Sequence, residues 1–412
     1  MKPLAITART VTNALGRGVA ASLAALRAEQ SGLRPCDFED ADLPTWIGRV
    51  AGLENEPLTG EFAAFDCRNN RLAHIGLEQD GFAAAVRQAR DRYGADRIGV
   101  FIGTSTSGIG ATEQAYRQRD PVTGELPASF DYQHTHNVFS VADFTRRWLG
   151  LTGVALAVST ACSSSAKAFA SACRHIRAGF CDAAVVGGVD SLCLTTLYGF
   201  NALGLASTQV CRPWDVERDG LNVGEAAGFA LLEQAESGDR RIQLLGYGES
   251  SDAYHMTAAH PEGAGAALAM EQALARAGLS AEQVDYINLH GTATPLNDAA
   301  EDKAILRVFG PATPCSSTKG WTGHTLGAAG VTEAIFVGLC LEQGFMPGTL
   351  NTRQRDPQLG AGVLLRAREQ TMRTALSNSF GFGGTNCSLL FGRGDDESPS
   401  PLAGEGRGEE KS

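Results

Sequence analysis

Seven short apolar runs divide the chain, and they constrain its fold more than any other feature. Each run has the length of a buried β-strand, and several of them are separated by segments with helical periodicity. This succession is typical of layered α/β proteins. We therefore predict strands over seven segments: 97–104, 154–160, 182–189, 228–234, 241–248, 284–291 and 374–381.

Two helices are predicted from apolar periodicity. The first follows Cys162 and ends near Gly179; its apolar stripe consists of Ala166, Phe169, Ala170, Cys173 and Ile176. The second lies within 263–280 and ends at Gly278. A strand–helix–strand succession thus recurs on both sides of residue 240, which suggests two related halves.

Length and composition exclude several classes of protein. A chain of 412 residues with 43% apolar and 20% charged residues has room for two core-forming units. Its formal charge of −11 argues against a broad nucleic-acid surface. The N-terminus lacks the apolar region of a signal peptide, and we find no run of about eighteen apolar residues that would span a membrane. The ten scattered cysteines lack zinc-binding spacing and favour a reducing compartment, so we predict a cytoplasmic protein.

Cys162 lies where a predicted strand turns into a predicted helix. Backbone N–H groups at a helix N-terminus lower a thiol pKa and can bind a developing oxyanion. An arbitrary cysteine is more often an inert core residue, and Cys173, Cys181 and Cys193 fit that description. Cys162 fits it less well because the three serines that follow it favour a turn, so we treat Cys162 as a candidate nucleophile.

Two histidines strengthen this interpretation. His290 follows the apolar run 284–289, and His324 follows Lys319 by five residues and precedes a run of small residues. Either histidine alone could be a hydrogen-bonded structural group. Together with a cysteine at a helix start they form a candidate Cys–His–His site.

Four motifs carry a family resemblance. They are "TACSSS" around Cys162, "HGTATPLND" from His290, "KGWTGHTLGAAG" with Lys319 and His324, and "NSFGFGGTN" at 378–386. In order and spacing they resemble the elongating β-ketoacyl-acyl carrier protein synthases of the thiolase superfamily, over roughly residues 1 to 393.

The resemblance implies a thiolase-like α/β fold of two pseudo-related halves in a layered α-β-α-β-α architecture. The expected divisions are an N-terminal half at 1–238 that carries the cysteine and a C-terminal half at 239–393 that carries both histidines. The remaining stretch, 394–412, is rich in Gly, Ser, Pro and Glu, and we expect it to be a disordered tail.

The reaction implied by the resemblance is a decarboxylating Claisen condensation. Cys162 would take an acyl chain from the carrier protein, and neutral Nε2–H groups of His290 and His324 would stabilise the enolate formed from malonyl-carrier protein. Backbone N–H groups of Cys162 and Phe382 would form the oxyanion hole, with Phe382 also resembling a gating residue. Alternatively, Phe382 is an aromatic residue packed under a glycine loop.

Supporting roles also follow from the resemblance. Lys319 would pair with a buried Glu333, and the pair would orient His324 and tune its protonation. Thr292 and Thr294 would hydrogen-bond the pantetheine arm, although an ordinary turn role stays open for both.

The implied partners are acyl- and malonyl-loaded acyl carrier proteins and a second ketosynthase subunit in a homodimer or heterodimer. Substrates arrive on phosphopantetheine, and no metal or separate cofactor is needed. Because a carrier protein is acidic, docking requires local cations, and Arg68 and Arg71 resemble a family docking position. Solvated surface arginines are an equally acceptable interpretation.

Three departures from the family pattern leave the catalytic residues unchanged and bear on the shape of the substrate pocket. Leu221–Asn222 replaces an aromatic–aliphatic pair after "RDG", Trp321 is bulkier than the usual residue in its motif, and the segment "LASTQVCRP" at 205–213 is shorter than in many relatives. They leave pocket shape and pathway open, including a weak similarity to ketosynthases of aryl-polyene-type pigment clusters.

Three other classes of protein can be compared with this chain at single residues. A thiolase normally carries a second cysteine near the end of the chain, where "FGFGGTN" stands here, and an initiating synthase has asparagine where His324 stands. A catalytically silent, chain-length-factor-like subunit usually lacks the cysteine, so Cys162 disfavours that third alternative.

Overall fold

The computed structural model describes residues 1–394, which form a mixed α/β structure. The strands of these residues are β1 Leu4–Asn13, β2 Gly16–Arg17, β3 Arg34–Pro35, β4 Trp46–Gly48, β5 Ile98–Gly103, β6 Ala155–Val158, β7 Ala183–Asp190, β8 Val223–Gly224, β9 Ala226–Gln234, β10 Ile242–Ser251, β11 Tyr286–Asn288, β12 Pro314–Ser316, β13 Phe345–Met346, β14 Gly362–Val363, β15 Arg368–Glu369, β16 Thr374–Gly381 and β17 Thr385–Arg393. The helices are α1 Val19–Arg27, α2 Arg68–Leu77, α3 Phe82–Tyr93, α4 Ile109–Arg117, α5 Ser140–Trp148, α6 Ser164–Arg177, α7 Leu194–Ala202, α8 Ala264–Ala277, α9 Pro295–Val308, α10 Lys319–Thr322 and α11 Ala329–Gln343.

Ten of the twelve strands described in the main sheet form two sets with the same topology, and the other two are β14, beside β12, and β2, beside β1. The first set has the order β6-β5-β7-β9-β1, with parallel pairs β6-β5 and β5-β7 followed by antiparallel pairs β7-β9 and β9-β1. The second set has the order β12-β11-β16-β17-β10 and repeats this pattern of directions. The prediction of two related halves is therefore confirmed by the strand topology.

The two sets meet only at a short antiparallel contact between β1 and β10, where Leu4 and Ala5 pair with Leu244 and Gln243. Helices α6 and α11 contact strands of both sets, so they form a central layer between them. The largest buried cluster lies around these two helices and includes Phe169 and Phe336. Helices α2, α3 and α5 cover the first set and α8 the second, with α9 packed beside α8, which gives the predicted five layers.

The seven predicted strands and both predicted helices are present. Strand β6 ends at Val158 and β11 at Asn288, earlier than predicted, because the chain leaves the sheet to form the turns that carry Cys162 and His290. Strands β1 and β17 were not predicted, although they lie in the middle of the sheet. The division at 238/239 stays a prediction, and the predicted tail at 394–412 lies, apart from Gly394, outside the described residues.

One segment has the length and composition of a membrane span. It covers Leu326–Gln343, and 89% of it is buried inside the protein, where it contributes the central helix α11. All ten cysteines, each within the described part of the chain, are free thiols.

Candidate active site

Cys162 lies in the turn between β6 and α6. Ala161 has a φ of 51°, a left-handed conformation that is strained for a residue with a side chain. The turn is fixed by serine hydroxyl groups: Ser163 donates to the Thr160 carbonyl (2.9 Å) and Ser164 to the Ala161 carbonyl (2.6 Å). The serines after the cysteine thus hold the nucleophile turn, as their positions in the sequence indicated.

His324 occupies the equivalent place in the second half, between β12 and α11. The N-terminal ends of α6 and α11 pack closely, since a Cβ on Gly330 would lie 2.6 Å from the Ala166 nitrogen. The Val331 N–H also donates to the Ser165 hydroxyl (3.0 Å). This contact between the central helices brings the two turns together.

The three predicted reactive side chains converge in one buried site. His324 Nε2 is 3.0 Å from Cys162 Sγ, and the rings of His290 and His324 are 5.3 Å apart in an edge-to-face arrangement. One ligand atom from each residue lies within 4.8 Å of the other two. A thiol and two imidazoles at this separation can act on one small reacting group, and they also have the composition of a metal-binding set.

Burial raises the pKa of Cys162 to about 11. The Lys319 ammonium opposes this shift, as do the backbone N–H groups of Phe382 and of Cys162 itself, which face the sulfur. The side chain is therefore a thiol at neutral pH, and it has to lose its proton when the sulfur attacks. His324 Nε2 lies 3.0 Å from the sulfur, and in the Nε2–H tautomer it donates a hydrogen bond to it.

Burial lowers the pKa of both His290 and His324 well below the ordinary imidazole value, and the nearby Lys319 ammonium lowers them further. Both rings are therefore neutral at pH 7. A neutral imidazole can donate or accept a proton in a dry site without changing its net charge first.

Lys319 and Glu333 form a buried ion pair behind His324. Nζ of Lys319 lies 2.5 Å from Oε1 of Glu333, and their side chains are 1% and 4% exposed. Burial raises the pKa of Glu333 to about 7, against the opposing effect of Lys319. The pair predicted from the sequence is therefore formed, and its lysine charge acts on both histidines.

Phe382 lies in the turn between β16 and β17. Gly383 and Gly384 have φ values of 80° and 72°, which favour glycine. The Phe382 ring packs against Phe200 at 5.8 Å and lines the same cavity as Cys162. The residue thus places its N–H beside the sulfur and its ring in the cavity wall.

Thr292 and Thr294 lie in the loop that leads from His290 to α9. Their hydroxyl groups are 2.9 Å apart, and both residues line the cavity that contains Cys162. Ala293 between them has a φ of 65°, which is strained for alanine. The loop therefore turns two hydroxyl groups toward the site.

Arg68 and Arg71 have internal partners. Arg68 binds both carboxylate oxygens of Glu225 and one of Glu54, at 2.6 to 2.9 Å. Arg71 makes two 2.6 Å contacts with Asp66. These ion pairs neutralise both guanidinium groups within the chain, and the docking role stays a prediction.

Sequence reasoning missed two carboxylates that support the histidine loops. Glu301 on α9 accepts the backbone N–H groups of His290 and Gly291 (2.8 Å each). Asp190 at the end of β7 accepts several donors, among them the Gly327 N–H beside the His324 loop (2.5 Å) and the Ser105 hydroxyl (2.6 Å). Glu301 lies three residues after the "HGTATPLND" motif and Asp190 directly follows a predicted strand, but nothing in the sequence alone identifies their backbone partners.

The residues that depart from the family pattern differ in their position relative to the cavity that contains Cys162. Leu221 lines the cavity of Cys162 together with Leu205. Trp321 points away from it, and its indole N–H donates to the Ala25 carbonyl (3.3 Å). Leu221 of the first departure and Leu205 of the third are therefore the residues placed to contact an acyl chain bound at the cysteine.

Comparison with known families agrees with this geometry. Residues 1–237 match the model of the "Beta-ketoacyl synthase, N-terminal domain", and residues 242–353 match that of the C-terminal domain. The chain belongs to the β-ketoacyl synthase family. It is thus a ketosynthase-type acyltransferase, and the resemblance seen in the sequence motifs is confirmed.

Individual relatives cover nearly the whole chain. A 3-oxoacyl-[acyl-carrier-protein] synthase 2 of Vibrio cholerae is 35% identical over 94% of this chain and 98% of its own. Nodulation protein E of Rhizobium meliloti is 36% identical over 77% of this chain and 80% of its own. Among solved structures, the ketosynthase ApeO in complex with its chain length factor ApeC, from Xenorhabdus doucetiae, has a TM-score of 0.86 at 37% identity, covering 95% of this chain and 98% of that one.

Proposed function

We propose that this chain is an elongating β-ketoacyl-acyl carrier protein synthase with Cys162 as its nucleophile. The observation that carries the proposal is the convergence of Cys162, His290 and His324 in one buried site, with His324 Nε2 3.0 Å from the sulfur. Both histidines come from one half of the chain and the cysteine from the other. The two halves therefore have to fold together before the site exists.

The first step is acyl transfer. The Cys162 sulfur attacks the thioester carbonyl of an acyl-carrier protein, and the thiol gives up its proton as the new C–S bond forms. The carbonyl oxygen becomes an oxyanion, for which the backbone N–H groups of Cys162 and Phe382 are the nearest donors. The intermediate then expels the pantetheine thiolate, which takes up the proton released by Cys162, and leaves an acyl thioester on Cys162.

The second step is condensation. Malonyl-carrier protein loses CO₂, and the electron pair of the broken C–C bond forms an enolate whose oxygen lies between the Nε2–H groups of His290 and His324. The enolate carbon attacks the acyl thioester, a C–C bond forms, and the C–S bond to Cys162 breaks. The departing thiolate is protonated to regenerate the thiol.

The remaining residues prepare this site. Burial is the main reason that both rings stay neutral, and the Lys319 charge, held beside the histidines by Glu333, lowers their pKa further. Thr292 and Thr294 hold the pantetheine arm at the mouth of the cavity, with Phe382 as the movable wall. The reaction draws its substrates from phosphopantetheine and takes no part of its chemistry from a metal or separate cofactor.

The proposed partners are an acyl carrier protein and a second ketosynthase subunit. In the described part of the chain, β6 pairs only with β5, so its other edge is free, and Leu156 on it is 37% exposed. An unpaired apolar edge of this kind is suited to a dimer interface. The enzyme would act in the cytoplasm as a homodimer or with a chain-length-factor-like subunit.

The second candidate is a catalytically silent partner subunit. It is favoured by solved relatives in which a ketosynthase is bound to a chain length factor, ApeO with ApeC and the ishigamide pair. Cys162 disfavours it, because a silent subunit has no need of a thiol 3.0 Å from an imidazole.

The product chain of the active enzyme would belong to fatty-acid or to polyketide metabolism, including the aryl-polyene type.

The test is condensation by the purified protein. Incubation with acyl- and malonyl-carrier proteins should release CO₂ and form a product two carbons longer, with a ketone at the β carbon. Cys162→Ala should abolish the product, whereas Cys173→Ala, which removes a buried cysteine on the helix α6 that follows Cys162, should leave it intact. Product formation by Cys162→Ala would refute the proposed mechanism, and a folded wild type inactive with every acyl chain would favour the silent subunit.

A further inference from the structure

Asn222, one of the residues that depart from the family pattern, is fully buried beside the histidine loop. Its side-chain oxygen accepts the Cys211 N–H (2.6 Å), and its side-chain nitrogen donates to the Gln209 carbonyl (3.0 Å) and weakly to the Ser207 carbonyl (3.4 Å). All three partners belong to one turn, Ser207–Cys211, which lies in the segment that is shortened in this chain. The carboxamide thus makes hydrogen bonds that an aliphatic side chain at this position cannot make.

The same turn also contacts the helix that precedes His324. The Cys211 thiol donates to the Lys319 carbonyl (3.2 Å). The Asn351 side chain bridges the two elements, with its amide 3.2 Å from the carbonyls of both Cys211 and Gly320. The position of the turn is therefore linked to the position of α10.

The backbone of Asn222 holds His324 directly. The His324 N–H donates to the Asn222 carbonyl (2.7 Å), and the Gly224 N–H donates to the His324 carbonyl (3.0 Å). Gly323, with a φ of 72°, permits this approach, because a Cβ there would lie 2.8 Å from the Asn222 oxygen. The residue that fastens the turn with its side chain thus fixes the catalytic loop with its main chain.

We propose that Asn222 is a positioning residue, which acts on the reaction through His324. This inference rests on the proposed function, since it assigns the residue a role in enolate stabilisation. A side chain that leaves the Cys211 N–H and the Gln209 carbonyl unpaired in a buried turn makes that turn move, and the Asn222 carbonyl moves with it. His324 then loses its alignment with Cys162 and His290.

The experiment compares Asn222→Ala with Thr45→Val. Thr45 is a matched control because its buried hydroxyl donates to the same turn, at the Ser207 carbonyl (2.7 Å), whereas its backbone hydrogen bonds are with Cys36 and Leu43 rather than with His324. Two rates are measured: CO₂ release from malonyl-carrier protein, and acyl loading of Cys162 by the acyl-carrier protein that loads wild type fastest. Thermal unfolding monitors the fold of each variant.

Asn222→Ala should lower the decarboxylation rate by about 100-fold, the cost of a misplacement of about 1 Å in an active site, and lower acyl loading much less. Thr45→Val should leave the ratio of the two rates unchanged. In a His324→Ala background, Asn222→Ala should cause no further loss of decarboxylation, because the residue through which it acts is absent.

Three outcomes would overturn the inference: equal loss of both rates in Asn222→Ala, the same altered ratio in Thr45→Val, or additive losses with His324→Ala. If Asn222→Ala does not fold, Asn222→Asp, which keeps the acceptor for the Cys211 N–H and loses the amide donors, takes its place with the same criteria. A wild type that is neither loaded nor decarboxylating would instead refute the proposed function.

Discussion

The buried Lys319–Glu333 pair gives the sharpest quantitative prediction. Glu333→Gln removes the negative charge and leaves the Lys319 ammonium, 1% exposed, without its counter-charge. Breaking a buried ion pair in this way costs about 3–5 kcal/mol of unfolding free energy. We therefore expect Glu333→Gln to unfold at a markedly lower denaturant concentration than wild type.

The assay is equilibrium denaturation of four proteins: wild type, Glu333→Gln, Lys319→Met and the double variant. The double variant carries neither buried charge, so it should recover most of the stability lost in either single variant. Catalysis should not recover with it. Without the positive charge of Lys319, the pKa of both His290 and His324 rises toward the ordinary imidazole value, because that charge contributes to the lowering.

Two results would contradict this role of the ion pair. If the double variant is as unstable as the sum of both single variants, the cost arises from lost packing rather than from an uncompensated charge. If Glu333→Gln has wild-type stability, the pair contributes nothing to the fold, and its only role would be electrostatic.

Three further predictions follow from the site. His324→Ala should slow malonyl decarboxylation more than acyl loading, and equal losses in a comparison of CO₂ release with acyl-enzyme formation would contradict its enolate role. The acid limb of decarboxylation should lie below pH 6.5, because burial keeps both imidazoles neutral as pH falls to that value; a rate that already halves at pH 7 would show that the rings titrate normally. Burial raises the pKa of Glu301 to about 7 from an ordinary 4.5, so its contribution to stability is fully present below pH 4.5 and is lost as pH rises through 7. Between these pH values, wild type should lose about 3 kcal/mol of unfolding free energy relative to Glu301→Gln, and parallel pH profiles of the two proteins would contradict that burial effect.

The layered fold could be predicted from apolar runs because strands buried on both faces consist of nearly continuous apolar residues. β7, Ala183–Asp190, is fully buried and was found in this way. β1 was missed because polar residues such as Thr7 and Arg9 interrupt its apolar pattern. Arg9 instead pairs with Glu342 at the end of α11, a partner far away in the sequence.

The reactive side chains could be predicted, but much of what positions them could not. Cys162, His290 and His324 stand in motifs whose residue types suit the chemistry, so their convergence was expected. The side chains of Glu301 and Asn222 bind backbone groups of other segments. A single sequence does not show which backbone group a side chain will bind. For Arg68 the sequence predicted a docking cation or a solvated surface arginine, and the fold supplies a buried partner, Glu225, that the sequence did not indicate.

The central claim is that Cys162 carries the acyl chain. Its most direct test is intact-protein mass spectrometry after incubation with acyl-carrier proteins of different chain length and unsaturation. The mechanism predicts a mass gain of one acyl group in wild type and in Cys173→Ala, and none in Cys162→Ala. An acyl adduct of equal yield on Cys162→Ala would contradict the claim, because the thioester would then lie on another residue.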